Sequence, residues 1–262
     1  MFVLLTRPGV VSLSDKALLQ KEANLIKTAL DEGVDRIHIR KPAAELQDIE
    51  ALLSQLPAPY LNQVMLHPPK RLFSFLDAGD QYSALKIEAL LHEGLDDLFS
   101  WMQQRGLRGL HLPQWLRLRL SSPHKQLLVE MAASSINTHG FYYTTGVHDK
   151  NALDSLLSET DQVRYAYVFI SPLFDSISKK GYAANPSLLG LAQQVLRAAK
   201  IQTKLIGLGG INAHNIGEVK KAGFGGVALM GALWTVPISQ LASLGRPEFI
   251  NNINTCVRRW KA

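Results

Sequence analysis

Residues 176–180 read "SISKK", so Ser176, Ser178, Lys179 and Lys180 put two hydroxyls and two ammonium groups into one short loop. Hydroxyl donors beside positive charge suit an anion, and phosphate is the commonest biological one. A solvated turn with lysines on it is the competing reading. Two glycine turns further on bear on the choice: Gly209–Gly210 in "IGLGGIN" and Gly231 after Met230 in "GVALMGAL". Glycine lets an anion approach backbone N–H groups closely. Arg40 in "RIHIRKP" offers a permanent cation. His38, His67, His111 and His148 offer imidazoles, which serve as hydrogen-bonding groups, proton carriers or metal ligands.

These residues need elements to position them. Short apolar runs alternate with helical patterns along the chain. The predicted strands are Phe2–Thr6, Arg36–Arg40, Gln63–His67, Gly109–Leu112, Phe141–Thr145, Tyr167–Ser171, Lys204–Leu208 and Gly226–Met230. Helical spacing is clearest over Leu13–Glu32, where Leu18, Leu19, Ala23, Ile26 and Leu30 share a face. It recurs near Ala44–Leu56 and Ser239–Trp260. Eight strands, each followed by a helix, predict a single (β/α)8 TIM barrel over residues 1–262. An open doubly wound sheet is the runner-up, and the missing Gly-rich loop after the first strand counts against it. About 40 residues between the third and fourth strands, roughly 68–108, read as a helical insertion or an extended third helix. "SSPHKQ" at 121–126 reads as a loop.

In such a barrel the site lies at the C-terminal strand ends, and the last two loops commonly hold phosphate. Asn212 or a neighbour is expected to cap the helix after the Gly209–Gly210 turn. Alternation along "RIHIR" puts Ile37 and Ile39 against the helices and turns His38 and Arg40 to the barrel mouth. The four histidines raise a zinc hypothesis. No carboxylate accompanies them and the first strand lacks an H-x-H, so no protein metal site is expected. His38, His111 and His148 are read as substrate-binding.

Composition narrows the class. The chain has 262 residues, a net charge of +6 and one cysteine, Cys256. No disulfide can form within it, the first apolar run is too short for a signal peptide, and no stretch is long enough to span a membrane. A cytoplasmic protein acting on phosphorylated small molecules is expected, with no nucleic-acid or membrane partner and with a homo-oligomer left open.

"IGLGGINAHNIGEVKKAGFGGVALMGAL", "ISPLFDSISKKG" and "IHIRKP" resemble thiamine phosphate synthase and its relative, the thiazole tautomerase TenI. The resemblance covers about residues 2–235 apart from 68–108. It implies coupling of hydroxymethylpyrimidine diphosphate to thiazole phosphate, with release of diphosphate. It also implies catalytic roles for Arg40 and Lys179. Phosphate would be held by Ser176, Ser178, Lys179, Gly209, Gly210, Met230 and Gly231. The family's Mg²⁺ aspartates are replaced, by His67-Pro68 after the third strand and by "HLPQWL" at the fourth. No cofactor is therefore expected to bind tightly, and Mg²⁺ would enter only as a complex with diphosphate, whose charge falls to Arg40, Lys41 and Lys179. "HIR" is the form of the tautomerase branch, whose catalytic histidine after the sixth strand aligns with Pro172 here, and His148 and His38 are read as substitute proton carriers. The alternatives to coupling are a tautomerase or a non-catalytic binder of thiazole phosphate.

Overall fold

Parallel strands pair through main-chain bonds and need a crossover between them, which is why strand and helix alternate here. The computed structural model describes residues 1–78, 81–133, 140–158, 163–177, 184–197, 203–236 and 238–262. Its strands are β1 (Phe2–Leu5), β2 (Arg36–Ile39), β3 (Val64–Leu66), β4 (Gly109–Leu112), β5 (Tyr142–Val147), β6 (Tyr165–Ile170), β7 (Lys204–Gly207) and β8 (Gly226–Leu229). All pairs are parallel and in sequence order. β1 closes onto β8 with Val3 opposite Ala228, so the sheet is a complete barrel.

Successive side chains of a strand point to opposite faces. Val3, Leu5, Met65, Tyr167, Phe169, Ile206 and Ala228 fill the barrel interior. Leu4, Ile37, Ile39, Val64 and Leu66 face the helices and join the larger core between the layers. Gly109 makes room inside, since a Cβ there would lie 2.3 Å from the Met65 sulfur.

The crossovers carry helices α1 (Lys16–Asp31), α2 (Leu46–Leu53), α3 (Ala58–Leu61), α4 (Ala84–Gln104), α5 (Gln114–Arg117), α6 (Ser122–Ala133), α7 (Lys150–Ser158), α8 (Pro186–Arg197) and α9 (Ile216–Lys221), with α10 (Arg246–Lys261) last. α1 starts later than its apolar spacing suggests, because Asp15 caps it by accepting from the Leu18 N–H. α10 likewise starts at Arg246. A short 3₁₀ segment, Ile238–Ser243, precedes it, and Pro247 occupies its first turn.

Residues 68–108 take the second of the two forms expected of them, an extended third crossover. α4 is itself the β3–β4 crossover, and Leu91, Leu95, Leu98, Phe99 and Met102 bury its inner face. The added part is the 3₁₀ segment Lys70–Asp77, which packs Phe73 against α4 where Gly94 leaves space. Residues 121–126 are not the expected loop, because α6 begins at Ser122. Proline is tolerated in a first helical turn, where its missing N–H has no intrahelical partner. Among the described residues, no helix is long and apolar enough to cross a membrane.

Candidate functional site

β2 shows how the barrel sorts adjacent residues. Ile37 and Ile39 are buried under the helices. His38 points inward as alternation requires, but it does not reach the mouth. It is 0% exposed and lines neither part of the cleft described below. This corrects its placement as a substrate contact. Arg40, one step further along the same face, reaches the rim. Lys41 turns to the opposite face. It is 4% exposed, bonded at 2.6 Å both to Glu22 of α1 and to the Gly9 carbonyl. Burial raises the Glu22 pKa and lowers that of Lys41, each opposed by attraction to the other. Lys41 is therefore not a cleft cation, contrary to the expectation that it shares diphosphate charge with Arg40.

The cleft at the C-terminal strand ends has two lobes joined by Leu5, Arg40, His148, Ser171 and Leu208. One lobe, about 830 Å³ including space open to solvent, is walled by Ser176, Gly209, Gly210, Ile211, Met230 and Gly231. The structure thus gathers every described residue of the expected phosphate group. Ser178, Lys179 and Lys180 lie outside the described residues.

Glycine is required at the β7 turn. Gly209 and Gly210 have φ of 95° and 65°, and a Cβ on Gly210 would sit 2.2 Å from the Asp175 carbonyl oxygen. The β6 loop lies directly on this turn, with the Phe174 N–H donating to the Gly209 carbonyl at 3.1 Å. Asn215, not Asn212, is the N-cap residue of α9, and its side chain makes no capping bond. The two asparagines shape the turn instead. Asn215 Nδ2 donates to the Gly210 carbonyl at 3.0 Å, and the Asn212 N–H donates to Asn215 Oδ1 at 2.8 Å. Among the described residues, no acceptor takes the N–H of Gly210 or Gly231.

The second lobe, about 1420 Å³ on the same basis, is lined by His67, Lys70, His111, Gln114 and Trp115 among others. Gln114 Oε1 is buried there without a hydrogen-bond partner. His148 belongs to both lobes, and its Nδ1 donates to the Ser171 carbonyl at 3.1 Å. His67 stacks on His111 with ring centroids 4.0 Å apart. His67 Nε2 lies 2.8 Å from His38 Nδ1, and His38 Nε2 lies 2.6 Å from the Tyr167 hydroxyl. His111 Nδ1 lies 2.9 Å from Thr144 Oγ1. Burial pushes all three imidazoles down, His38 and His67 well below the ordinary value and His111 to about 3. These rings are neutral near pH 7, so the positive charge of this wall comes from elsewhere.

It comes from Arg40, since Lys70 on the same lobe is paired with Asp77 at 2.7 Å. Burial lowers the Arg40 pKa, but a guanidinium stays protonated. Among the described residues no carboxylate pairs with it, and none of those lining either lobe is Asp or Glu. That donor set does not suit Mg²⁺, a hard cation that prefers oxygen ligands. Ser171, Tyr167 and Thr144 escaped the sequence reading. Counting back by twos from Ser171 along β6, through Phe169 to Tyr167, would have found the first two.

A family model described as thiamine monophosphate synthase matches residues 95–233. The match begins inside α4, so the second half of that helix belongs to the family region. A stretch of 67 residues is 37% identical to the thiamine-phosphate synthase of Listeria welshimeri, covering 26% of this chain and 31% of that protein. The aligned part is thus about a third of that relative's length. Among solved structures, the chain is similar to a thiamine phosphate pyrophosphorylase from Bacteroides thetaiotaomicron, with TM-score 0.60, 20% identity, and 99% and 97% of the two chains covered. A thiamine phosphate pyrophosphorylase from Pyrococcus furiosus gives TM-score 0.58 at 12% identity, covering 99% and 95%.

Proposed function

The chain belongs to the thiamine monophosphate synthase family, and from that premise we propose that it couples hydroxymethylpyrimidine diphosphate to thiazole phosphate. The carrying observation is Arg40, a partly buried guanidinium that lacks a partner among the described residues and shares a cleft with the two glycine turns. A desolvated cation without a counter-ion is unfavourable, and an anionic ligand relieves it. The cleft then has two anion positions. The N–H groups at Gly210 and Gly231, with Ser176 beside them, hold the phosphate that stays on the thiazole. Arg40 faces the diphosphate that leaves.

In the coupling step the thiazole ring nitrogen supplies the electron pair for a new bond to the pyrimidine methylene carbon. The carbon–oxygen bond to diphosphate breaks, and its electron pair departs with the diphosphate. Arg40 stabilises the charge gathering on those oxygens. The resemblance assigns Lys179 the same task. Gln114 Oε1, an unpaired buried acceptor in the wall, suits a ring-borne N–H of the pyrimidine.

One observation favours a second reading. The described cleft lining has no carboxylate to hold Mg²⁺, which fits a tautomerase or a non-catalytic binder of thiazole phosphate. Incubation with both substrates, with and without Mg²⁺, separates the two. Thiamine phosphate formed over many turnovers supports coupling. Binding of thiazole phosphate with no product under either condition replaces coupling with the second reading.

A further inference from the structure

Three imidazoles from successive strands converge beneath the cleft floor. His38 on β2, His67 after β3 and His111 on β4 each bring a ring nitrogen within 4.8 Å of the other two. We propose that this cluster binds a transition-metal dication of the zinc class, a site separate from the phosphate cradle and independent of the coupling reading. Imidazole nitrogen suits zinc, copper or nickel and not Mg²⁺. Two of the three remote nitrogens are already held. His38 Nε2 lies 2.6 Å from the Tyr167 hydroxyl, and His111 Nδ1 lies 2.9 Å from Thr144 Oγ1. Such partners orient the ring and fix which nitrogen faces the metal. They leave His38 Nδ1 and His111 Nε2 for coordination, with His67 Nε2 as the third ligand. A neutral imidazole coordinates through its unprotonated nitrogen, so the proton now held between His38 Nδ1 and His67 Nε2 moves to a remote ring nitrogen when the metal binds.

A tetrahedral site with bonds of about 2.0–2.1 Å needs ligand nitrogens about 3.3–3.4 Å apart. His38 Nδ1 and His67 Nε2, now 2.8 Å apart, must separate slightly, while the widest pairs must close. His67, the least buried of the three, is the ring with the most room to adjust. His67 and His111 line the second lobe, so the fourth position opens to water or to a ligand oxygen. Arg40 shares that lobe and opposes a dication, an effect that an anionic fourth ligand offsets.

The test is titration of the chelator-treated full chain with Co²⁺, a spectroscopic probe for zinc, and with Zn²⁺ by calorimetry. One equivalent per chain should bind, with the intense visible absorption of four-coordinate Co²⁺. His67→Gln and His111→Gln should weaken binding at least about a hundredfold. Thr144→Val, which removes only the partner of His111, should weaken it about 10–100-fold. His92→Gln, on the outer surface of α4, should change nothing. Wild type that takes up no stoichiometric metal overturns the proposal. So does uptake unaltered by the His67 and His111 substitutions, which would mean an adventitious ion only. Circular dichroism checks each variant's fold. If the histidine variants unfold, the wild-type stoichiometry and Thr144→Val decide.

Discussion

Arg40 and Lys41 are adjacent cations with opposite surroundings. Strand alternation sends Lys41 under α1 to Glu22, in a buried pair that leaves Glu22 Oε2 without a partner. Arg40 goes to the cleft, where no carboxylate among the described residues pairs with it and an anionic ligand would neutralise it. Removing one partner of a desolvated charge pair typically costs about 2–5 kcal/mol. Arg40→Ala should therefore weaken binding of a diphosphate ligand roughly thirtyfold or more, at about 1.4 kcal/mol per factor of ten. Calorimetry reads this directly, and wild-type affinity in the variant would remove Arg40 from the site. The imidazoles give a pH signature in metal-free protein. Unfolded, each takes up a proton near its ordinary value of 6.5, while folded His111 resists to about 3. Below about pH 6.5 the unfolded state binds more protons, so this contribution to stability is complete above that pH and is lost as pH falls. The slope is up to about 1.4 kcal/mol per pH unit for each imidazole. The urea midpoint of chelator-treated protein should fall between about pH 7 and about pH 5. It should fall less in His111→Gln. Equal slopes would show that His111 accepts its proton in the folded state.

At the scale of elements, the phosphate wall is two loops packed on each other. The β7 turn has left-handed backbone at Gly209 and Gly210 because the β6 loop occupies the space a side chain would need. Gly210→Ala should destabilise the protein by about 1–3 kcal/mol, from the unfavourable φ and the clash with Asp175 together. It should weaken phosphate binding as well. A bulky residue at Gly231, such as Gly231→Val, is expected to abolish binding of a phosphate ligand while the melting temperature stays near wild type. Calorimetry with inorganic phosphate and a thermal melt on both variants check the pair. Unchanged phosphate affinity in Gly231→Val would place the anion elsewhere. α4 shows that one helix can look like two features. Its exposed first turns, including Leu85 at 80% exposure, give way to a buried inner face from Leu91 onward.

At the scale of the whole molecule, closing the barrel brings residue 5 to residue 234. Trp234, 1% exposed, donates from Nε1 to the Leu5 carbonyl at 2.8 Å and packs its ring 5.2 Å from Phe249 of α10. Arg7 donates to the Trp234 carbonyl, tying the end of β1 to the same loop. One side chain thus joins the first strand, the loop after the last strand and the final helix. Trp234→Ala should lose about 3–5 kcal/mol. Trp234→Phe, which keeps a ring but drops the donor, should lose less. Equilibrium unfolding of both variants measures the difference, and a small effect of Trp234→Ala would mean that closure relies on the strand ladder alone.

Direction along each strand was legible in the residues, and height in the barrel was not. Side chains alternate with period two as a local property of extended backbone, so "RIHIR" by itself determined that Ile37 and Ile39 face the helices while His38 and Arg40 face the axis. The strand count and the glycine turns were local in the same sense, because periodicity and the tolerance of positive φ belong to short stretches. Depth depends on strand register around a closed barrel, and every register involves a partner strand distant in sequence. Register decided that His38 is sealed in while Arg40 reaches the rim. It drew His67 and His111 to His38 and left His148 with Ser171. The Glu22–Lys41 pair lies beyond local reading for a related reason. A charge pair is written by the packing of a helix on a strand, and only the folded chain brings the two together.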